Sequence, residues 1–353
     1  DQVGLFFNAR FWAEMPESLT GKRPQGKYEA AALQSVVGCL RKHWCNDRAA
    51  EGPPWVDIYQ EFKNKLPEGH LNKLKEMVLH GADPVYLGPK KGYKPKPYPG
   101  TDSVEMLALW DYFALVKASR AIVFNLEEEG MLEALIQAGV HMSPIVAAHK
   151  KQAHGALAVD EWGDLILRMC NDCSHNGHTS APNTGIHSWQ HSAQKTTSVA
   201  QVAYKAIREE KKHPRSQVRM AKDDVQKAFN LVATVLSMMG LFATCIGNLV
   251  LINLCLIFGS AASPGGFEVF GDVLVKALMM TPRETAGIDT GELHPEVARF
   301  CDDLLSIMAM CGDRCEDHLS RLRSLIVALL GEHSLNVAKQ GIEGTPENCK
   351  HVF

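Results

Sequence analysis

The chain has no surplus of positive charge: 37 Lys and Arg against 40 Asp and Glu leave a formal net charge of −3. That balance excludes a protein coated uniformly for nucleic acid, so any such surface must be local. No stretch at the N-terminus reads as a signal peptide. The ten cysteines are therefore expected as reduced thiols in an intracellular compartment. From residue 228 through residue 267 there is not one Asp, Glu, Lys or Arg, which raises a membrane span as a reading. Asn230, Thr234, Ser237, Thr244, Asn248 and Asn253 break that stretch every few residues, and Gly240 and Gly247 fall where turns between short strands belong. The run Leu249 to Phe258 is too short to cross as a helix. A buried antiparallel sheet with no membrane contact is expected there.

Against this background two acids stand out. Asp302 and Asp303 interrupt Arg299-Phe300-Cys301-Asp302-Asp303-Leu304-Leu305-Ser306-Ile307-Met308, which otherwise reads as a short buried strand. Two unit charges about 4 Å apart repel by roughly 1 kcal/mol even in water, so a fold that holds two carboxylates there normally supplies a cation. A third acid in a similar setting lies upstream in Lys222-Asp223-Asp224-Val225-Gln226-Lys227-Ala228-Phe229. Carboxylates without neighbouring histidines suit a hard cation such as Mg²⁺, which is held by one or two carboxylates together with substrate phosphates. Between the acids, Leu256-Ile257-Phe258-Gly259-Ser260-Ala261-Ala262-Ser263-Pro264-Gly265-Gly266-Phe267 passes from a strand-like run through small residues into a helix start, where Pro264 fits the first turn.

In this order the three segments resemble the palm of a reverse transcriptase. An aspartate strand ends in Ala-Phe, a Phe-Gly…Ser-Pro…Phe turn follows, and an aromatic-x-Asp-Asp-Leu hairpin completes the set. Upstream, Ser143 to Lys151 and Leu167 to Ser174 are similar to the paired fingers strands of retroelement enzymes. The resemblance covers roughly residues 125 to 353 and is nearest to the tyrosine-recombinase (DIRS-like) retroelements. It implies an α+β right-hand polymerase fold, with an antiparallel palm sheet packed on helices and a fingers subdomain. Residues 1–100 would be a mainly helical N-terminal region with a Pro/Lys/Tyr-rich linker at 84–100, and residues 101–353 the fingers and palm, without thumb or RNase H. A parent polyprotein is expected to supply those parts downstream.

The resemblance also implies an RNA-directed DNA polymerase that extends a primer on an RNA or DNA template using dNTPs. Asp224 and Asp302 are the expected ligands of two Mg²⁺ ions, with Mn²⁺ a substitute, and Asp303 supports them catalytically. Asp223 is not expected to be a ligand, because alternate strand residues face opposite ways; an ion pair with Lys222 or Lys227 is its bland role. Lys150, or its neighbour Lys151, and Arg168 would grip the triphosphate, although Ser174 stands where many relatives carry a second arginine. Phe229 matches the ring that disfavours a 2′-hydroxyl, and Phe258, Gly259, Ser263 and Pro264 match the turn that shapes the nucleotide pocket. Lys339 matches a lysine near the leaving pyrophosphate. Each has a plainer reading: Phe229 as core, Gly259 and Pro264 as a helix start, Lys339 as a solvated cation. The alternative function is a catalytically silent scaffold that binds nucleic acid or a protein partner.

Other signals are local. Lys205, Arg208, Lys211, Lys212, Arg215, Arg219 and Lys222 outnumber Glu209 and Glu210 between residues 205 and 222, and Lys90, Lys91, Lys94 and Lys96 cluster in the proposed linker; a solvated helix face and a spacer explain them equally well. Cys170-x-x-Cys173-Ser174-His175-x-x-His178 holds zinc-ligand types, but only one residue separates the two pairs where zinc fingers place about a dozen. Helices are expected at about 103–119, 126–138, 198–212, from the Ser263-Pro264 turn to about 280, and 314–330, the last stopped by Gly331.

Overall fold

A computed structural model describes residues 55–98, 105–117, 120–150, 155–159, 166–175, 181–187, 191, 196–214, 218–280, 296–309, 314–331, 334–336 and 341–343. It is an α+β protein of two compact units, the first containing residues 81–191 and 232–263, the second 51–80, 192–231 and 264–353.

In the first unit, helix α3 (Glu105–Lys117) precedes β1 (Ala121–Asn125), α4 (Met131–Gln137), β2 (Met142–Ser143), β3 (Ile145–His149), β4 (Leu167–Asn171) and a single helical turn, α5 (Pro182–Gly185). The uncharged stretch supplies β6 (Ala243–Ile246) and β7 (Leu249–Asn253). The sheet order is β1-β7-β6-β2, antiparallel except for the parallel β2–β6 pair. All five β7 residues are buried, which is why the stretch reads as a continuous apolar run and not as an alternating one. Gly247 takes φ 55 in the β6–β7 turn, as two-residue hairpins require. Among the described residues no helix is long and apolar enough to cross a membrane. The residues before β6 form 3₁₀ turns at Ala228–Leu231 and Leu236–Phe242. There Thr234 N–H donates to the Leu254 carbonyl and Val235 N–H to that of Ala82, so backbone groups are satisfied without a strand.

Helix α4 begins later than the sequence suggests. Gly130 sits at φ 75 before its first residue, and that left-handed conformation cannot belong to a right-handed helix. Tyr86 and Tyr93 make bridges to Ile186 and His141, and Tyr86 is only 6% exposed in a core cluster with Cys173, Ile186, Leu241, Phe242, Ile257 and Ala262. The Pro/Lys/Tyr-rich stretch is thus anchored by its tyrosines. Tyr112 on α3 is fully enclosed, its hydroxyl 3.0 Å from Asn171 Oδ1 and 3.2 Å from Thr244 Oγ1. Tyr112→Phe should cost about 1–3 kcal/mol, because two buried polar groups lose their partner; a urea midpoint equal to wild type would refute this role.

In the second unit, α1 (Trp55–Phe62) and α2 (Glu68–His80) are followed by α6 (Val199–Lys212), β5 (Val218–Asp224), α7 (Ser263–Met280), β8 (Glu296–Phe300), β9 (Asp303–Ala309), α8 (Arg314–Leu330) and β10 (Gly341–Glu343). The sheet order is β10-β5-β9-β8, antiparallel throughout. Ser198 and Gln201 form a complete capping box at the start of α6, and Val202 packs with Ala298, Leu305 and Ile307 against the sheet. Gly331, at φ 90, ends α8. Arg299 and Glu268 form an ion pair in the interior, at 5% and 3% exposure. Gly271 makes room for it, since a Cβ there would overlap the guanidinium.

Candidate functional site

The acids meet because of strand register. Asp224, the last residue of β5, pairs with Asp303, the first of β9, and Phe300 pairs with Asp303 across the β8–β9 turn. Opposed residues on antiparallel strands bring their Cβ atoms within about 5 Å on one face. Cys301 and Asp302 form the two-residue turn itself, with Cys301 at φ 59, the left-handed side that such turns need at their first position. Val225 N–H donates to the Asp302 carbonyl at 3.1 Å, which ties the turn to the end of β5.

The carboxyl that faces Asp224 is that of Asp303. Burial raises the Asp303 pKa above the usual carboxylate range, and the Asp224 carboxyl pushes the same way while Lys222 opposes it. Lys222 Nζ lies 3.1 Å from Asp303 Oδ1, close enough to offset part of the carboxylate's charge. Asp224 is 2% exposed and is held at two points by Asn336, whose Nδ2 donates to Oδ2 at 2.6 Å and whose N–H donates to the backbone carbonyl at 3.1 Å. Asp302 is half-buried. The Cys301 thiol beside it is pushed up to about 12, first by burial and then by the Asp302 carboxylate.

Asp223 turns the other way, as strand alternation requires. It is fully buried, and its Oδ1 accepts from Arg323 Nε of α8 at 3.2 Å. Its ion-pair partner is therefore Arg323, whereas Lys222 pairs with Asp303. Asp224 and Asp303 form a hard-oxygen donor pair that repels itself in a half-buried setting, and this fits a hard divalent cation. Among the described residues no group of three His, Cys, Asp or Glu side chains is placed to hold a metal ion. The remaining ligands at such a site would have to come from substrate and water, the usual pattern for Mg²⁺. Phe229 is half-buried in its 3₁₀ turn, with its ring edge-on to Phe267 of α7, centroids 6.3 Å apart. Pro264 occupies the first turn of α7.

The other candidates lie on the first unit. Arg168 on β4 pairs with Ala148 on β3, and Lys150 lies two residues beyond Ala148, its N–H bonded to the Ile166 carbonyl at 2.9 Å. In extended backbone that spacing puts both basic side chains on one face of the hairpin. Both are exposed, and the Arg168 guanidinium stands 5.9 Å from the Phe258 ring centroid, a cation–π distance. Asn171 N–H donates to the Phe258 carbonyl at 3.1 Å, and Gly259, at φ 104, comes so close to the Asn171 carbonyl that no Cβ could fit. The Ser263 hydroxyl is buried and committed to the turn, donating to the Ile257 carbonyl at 2.6 Å and accepting from its N–H at 3.2 Å. Lys151 and Lys339 lie outside the described residues.

Sequence reading missed Asn336 and Asn183. Asn183 donates to the Gly259 carbonyl at 2.8 Å and to Ser174 Oγ at 2.9 Å, and accepts from Ala261 N–H at 2.8 Å, so it clamps the glycine turn. Asn336 stands three residues before Lys339 and Asn183 in the Pro182-Asn183-Thr184-Gly185 stretch, and in each case the only signal was a short amide side chain. The Cys170–His175 run does not converge. The Cys170 thiol meets the Arg168 carbonyl, Cys173 meets Ser143, and His175 Nε2 lies 2.9 Å from His141 Nε2 with Tyr93 stacked on both rings; His178 is outside the described residues.

No protein-family model matches the chain, and no curated protein matches it. Solved structures do. The chain is similar to foamy-virus protease–reverse transcriptases. The native prototype foamy virus protein is 15% identical over 82% of this chain, with a TM-score of 0.41. The foamy viral protein in complex with RNA/DNA hybrid is 14% identical over 83%, with a TM-score of 0.45. A form in complex with double-stranded DNA is 13% identical over 82%, with a TM-score of 0.40. The chain spans 33%, 34% and 43% of these proteins, respectively.

Proposed function

We propose that the chain is the fingers-and-palm part of a retroelement RNA-directed DNA polymerase, nearest in its motifs to the DIRS-like kind. The observation that carries this is the register that sets Asp224 against Asp303 beside the Asp302 turn, because it gathers acids from segments distant in sequence at one end of the sheet. By the motif resemblance Asp224 and Asp302 would hold Mg²⁺ or Mn²⁺, with Asp303, whose carboxyl faces Asp224, supporting them. Such ions, when bound, make a primer 3′-hydroxyl a better nucleophile and stabilise the attacking and leaving oxygens.

The protein's own groups do the rest. Asn336 fixes the rotamer of Asp224, and Lys222 offsets part of the charge on Asp303. By the motif resemblance, Lys150 and Arg168 would supply the cations for the triphosphate of a dNTP. Phe229 supplies a flat wall that disfavours a 2′-hydroxyl on the sugar. The product is a primer one nucleotide longer, and pyrophosphate leaves.

Primer extension tests this directly, with Asp302→Ala as the control. Extension that disappears in the variant supports the polymerase; no extension by either protein under Mg²⁺ or Mn²⁺ leaves the silent scaffold. Asn336 is a positioning residue, so Asn336→Ala should reduce extension about 10- to 100-fold and raise the Mg²⁺ concentration needed for half-maximal rate. A fall in rate with an unchanged Mg²⁺ requirement would show that Asn336 matters only to the fold.

A further inference from the structure

On the second unit, α6 carries a cation cluster that the proposed polymerase chemistry does not use. Lys205, Arg208 and Lys212 all converge on one carboxylate, Glu296 at the start of β8. Lys205 Nζ is 2.8 Å from it, Arg208 is in direct contact, and Lys212 Nζ is 3.9 Å away. Lys212 also meets Glu209 at 2.9 Å, so three cations share two carboxylates. Glu296 is 8% exposed and works as a buried anchor that orders the long side chains. The Lys205 pKa is lowered, mainly by burial and then by the nearby charges of Arg208 and Lys212, a sign that the cations crowd one another. Each keeps donors to spare, since a guanidinium has five N–H groups and an ammonium three.

Beside this cluster lies an open cavity of about 370 Å³, lined by Thr196, Thr197, Gln201, Tyr204, Lys205 and Arg208 among others. Tyr204 is 65% exposed, a large aromatic left in solvent one helical turn from Arg208, where side chains four apart are neighbours. A solvated helix face would explain the lysines. It would not explain an exposed ring, pre-ordered cations and a cavity in one place.

We propose that this face binds a nucleotide unit, with its phosphate on Lys205 and Arg208 and its base stacked on Tyr204. Cations that track phosphates, paired with an exposed ring for the base, are how proteins hold single-stranded nucleic acid without reading its sequence. The site rests on the α6 face and shares no residue with the acid turn, so it stands or falls apart from the polymerase reading.

The test is fluorescence anisotropy of a labelled oligo(dT) with the whole chain in EDTA, where no divalent-metal chemistry contributes. Tyr204→Ala, which removes a solvent-exposed ring, should raise Kd roughly fivefold or more with an unchanged circular dichroism spectrum. The paired variant Arg208→Gln/Glu296→Gln keeps the local charge balance and should lessen the slope of log K against log salt by about 0.7, one single-strand phosphate contact. Displacement of the oligonucleotide by dTMP supports a site for free nucleotide, and displacement only by unlabelled oligo(dT) supports a strand site. The proposal is overturned if the wild-type chain does not bind, if both variants bind as it does, or if polyglutamate displaces oligo(dT) equally from wild type and Tyr204→Ala.

Discussion

If the proposed polymerase reaction holds, Asp224→Ala should abolish Mg²⁺-dependent primer extension, by about 10³-fold or more, while leaving the protein folded. The size follows from what the residue does in the proposed reaction. Charge stabilisation by a bound cation is worth several kcal/mol in the transition state, and about 4 kcal/mol is a factor of roughly 10³. Asp224 is the acid of β5 that faces Asp303, and Asn336 holds it at both side chain and backbone, so no neighbour can replace it. Asp223 cannot, because it faces α8 and is engaged by Arg323. The fold should survive, since losing one of two opposed carboxylates relieves Asp303 of a repelling neighbour. Steady-state extension and a thermal melt on the same preparation separate the two effects. Extension within tenfold of wild type would remove Asp224 from the reaction.

Arg299→Met is the substitution with the largest expected cost to stability, about 3–5 kcal/mol, because it strands the Glu268 carboxylate in the interior. Arg299 donates to both the side chain and the backbone carbonyl of Glu268, and Gly271 leaves the guanidinium its space. The double variant Arg299→Met/Glu268→Met should recover most of the loss, since replacing a buried pair by apolar side chains is often neutral or stabilising. Urea denaturation measures both. If the double variant is no more stable than the single one, the damage is packing around α7 and β8 and not the unpaired charge.

The elements that sequence located well are those whose signals are local. The helices expected from about residue 198, from the Ser263-Pro264 turn and up to Gly331 are found as α6, α7 and α8. The uncharged stretch was legible as buried sheet in β6 and β7, but its first part became 3₁₀ turns, because hydrophobicity shows burial and not the hydrogen-bonding pattern. Helix α4 is shorter than its apolar pattern because Gly130 adopts a positive φ, which composition does not reveal. The Pro/Lys/Tyr-rich stretch looked like a spacer until Tyr86 and Tyr93 found partners far along the chain.

The sequence by itself singled out Asp224, Asp302 and Asp303 as the candidate acids, because charges placed inside apolar strand patterns are visible wherever they occur. It also determined that Asp223 faces away, through the period of two in a strand. Only the tertiary structure decided which acid meets which. Pairing register is a long-range property, and it set Asp224 against Asp303, gave Asp223 to Arg323, and brought Asn336 onto Asp224 from beyond α8. It likewise turned a run of lysines and an arginine into an ordered cluster around Glu296, because a buried carboxylate orders cations only once β8 is folded beside α6.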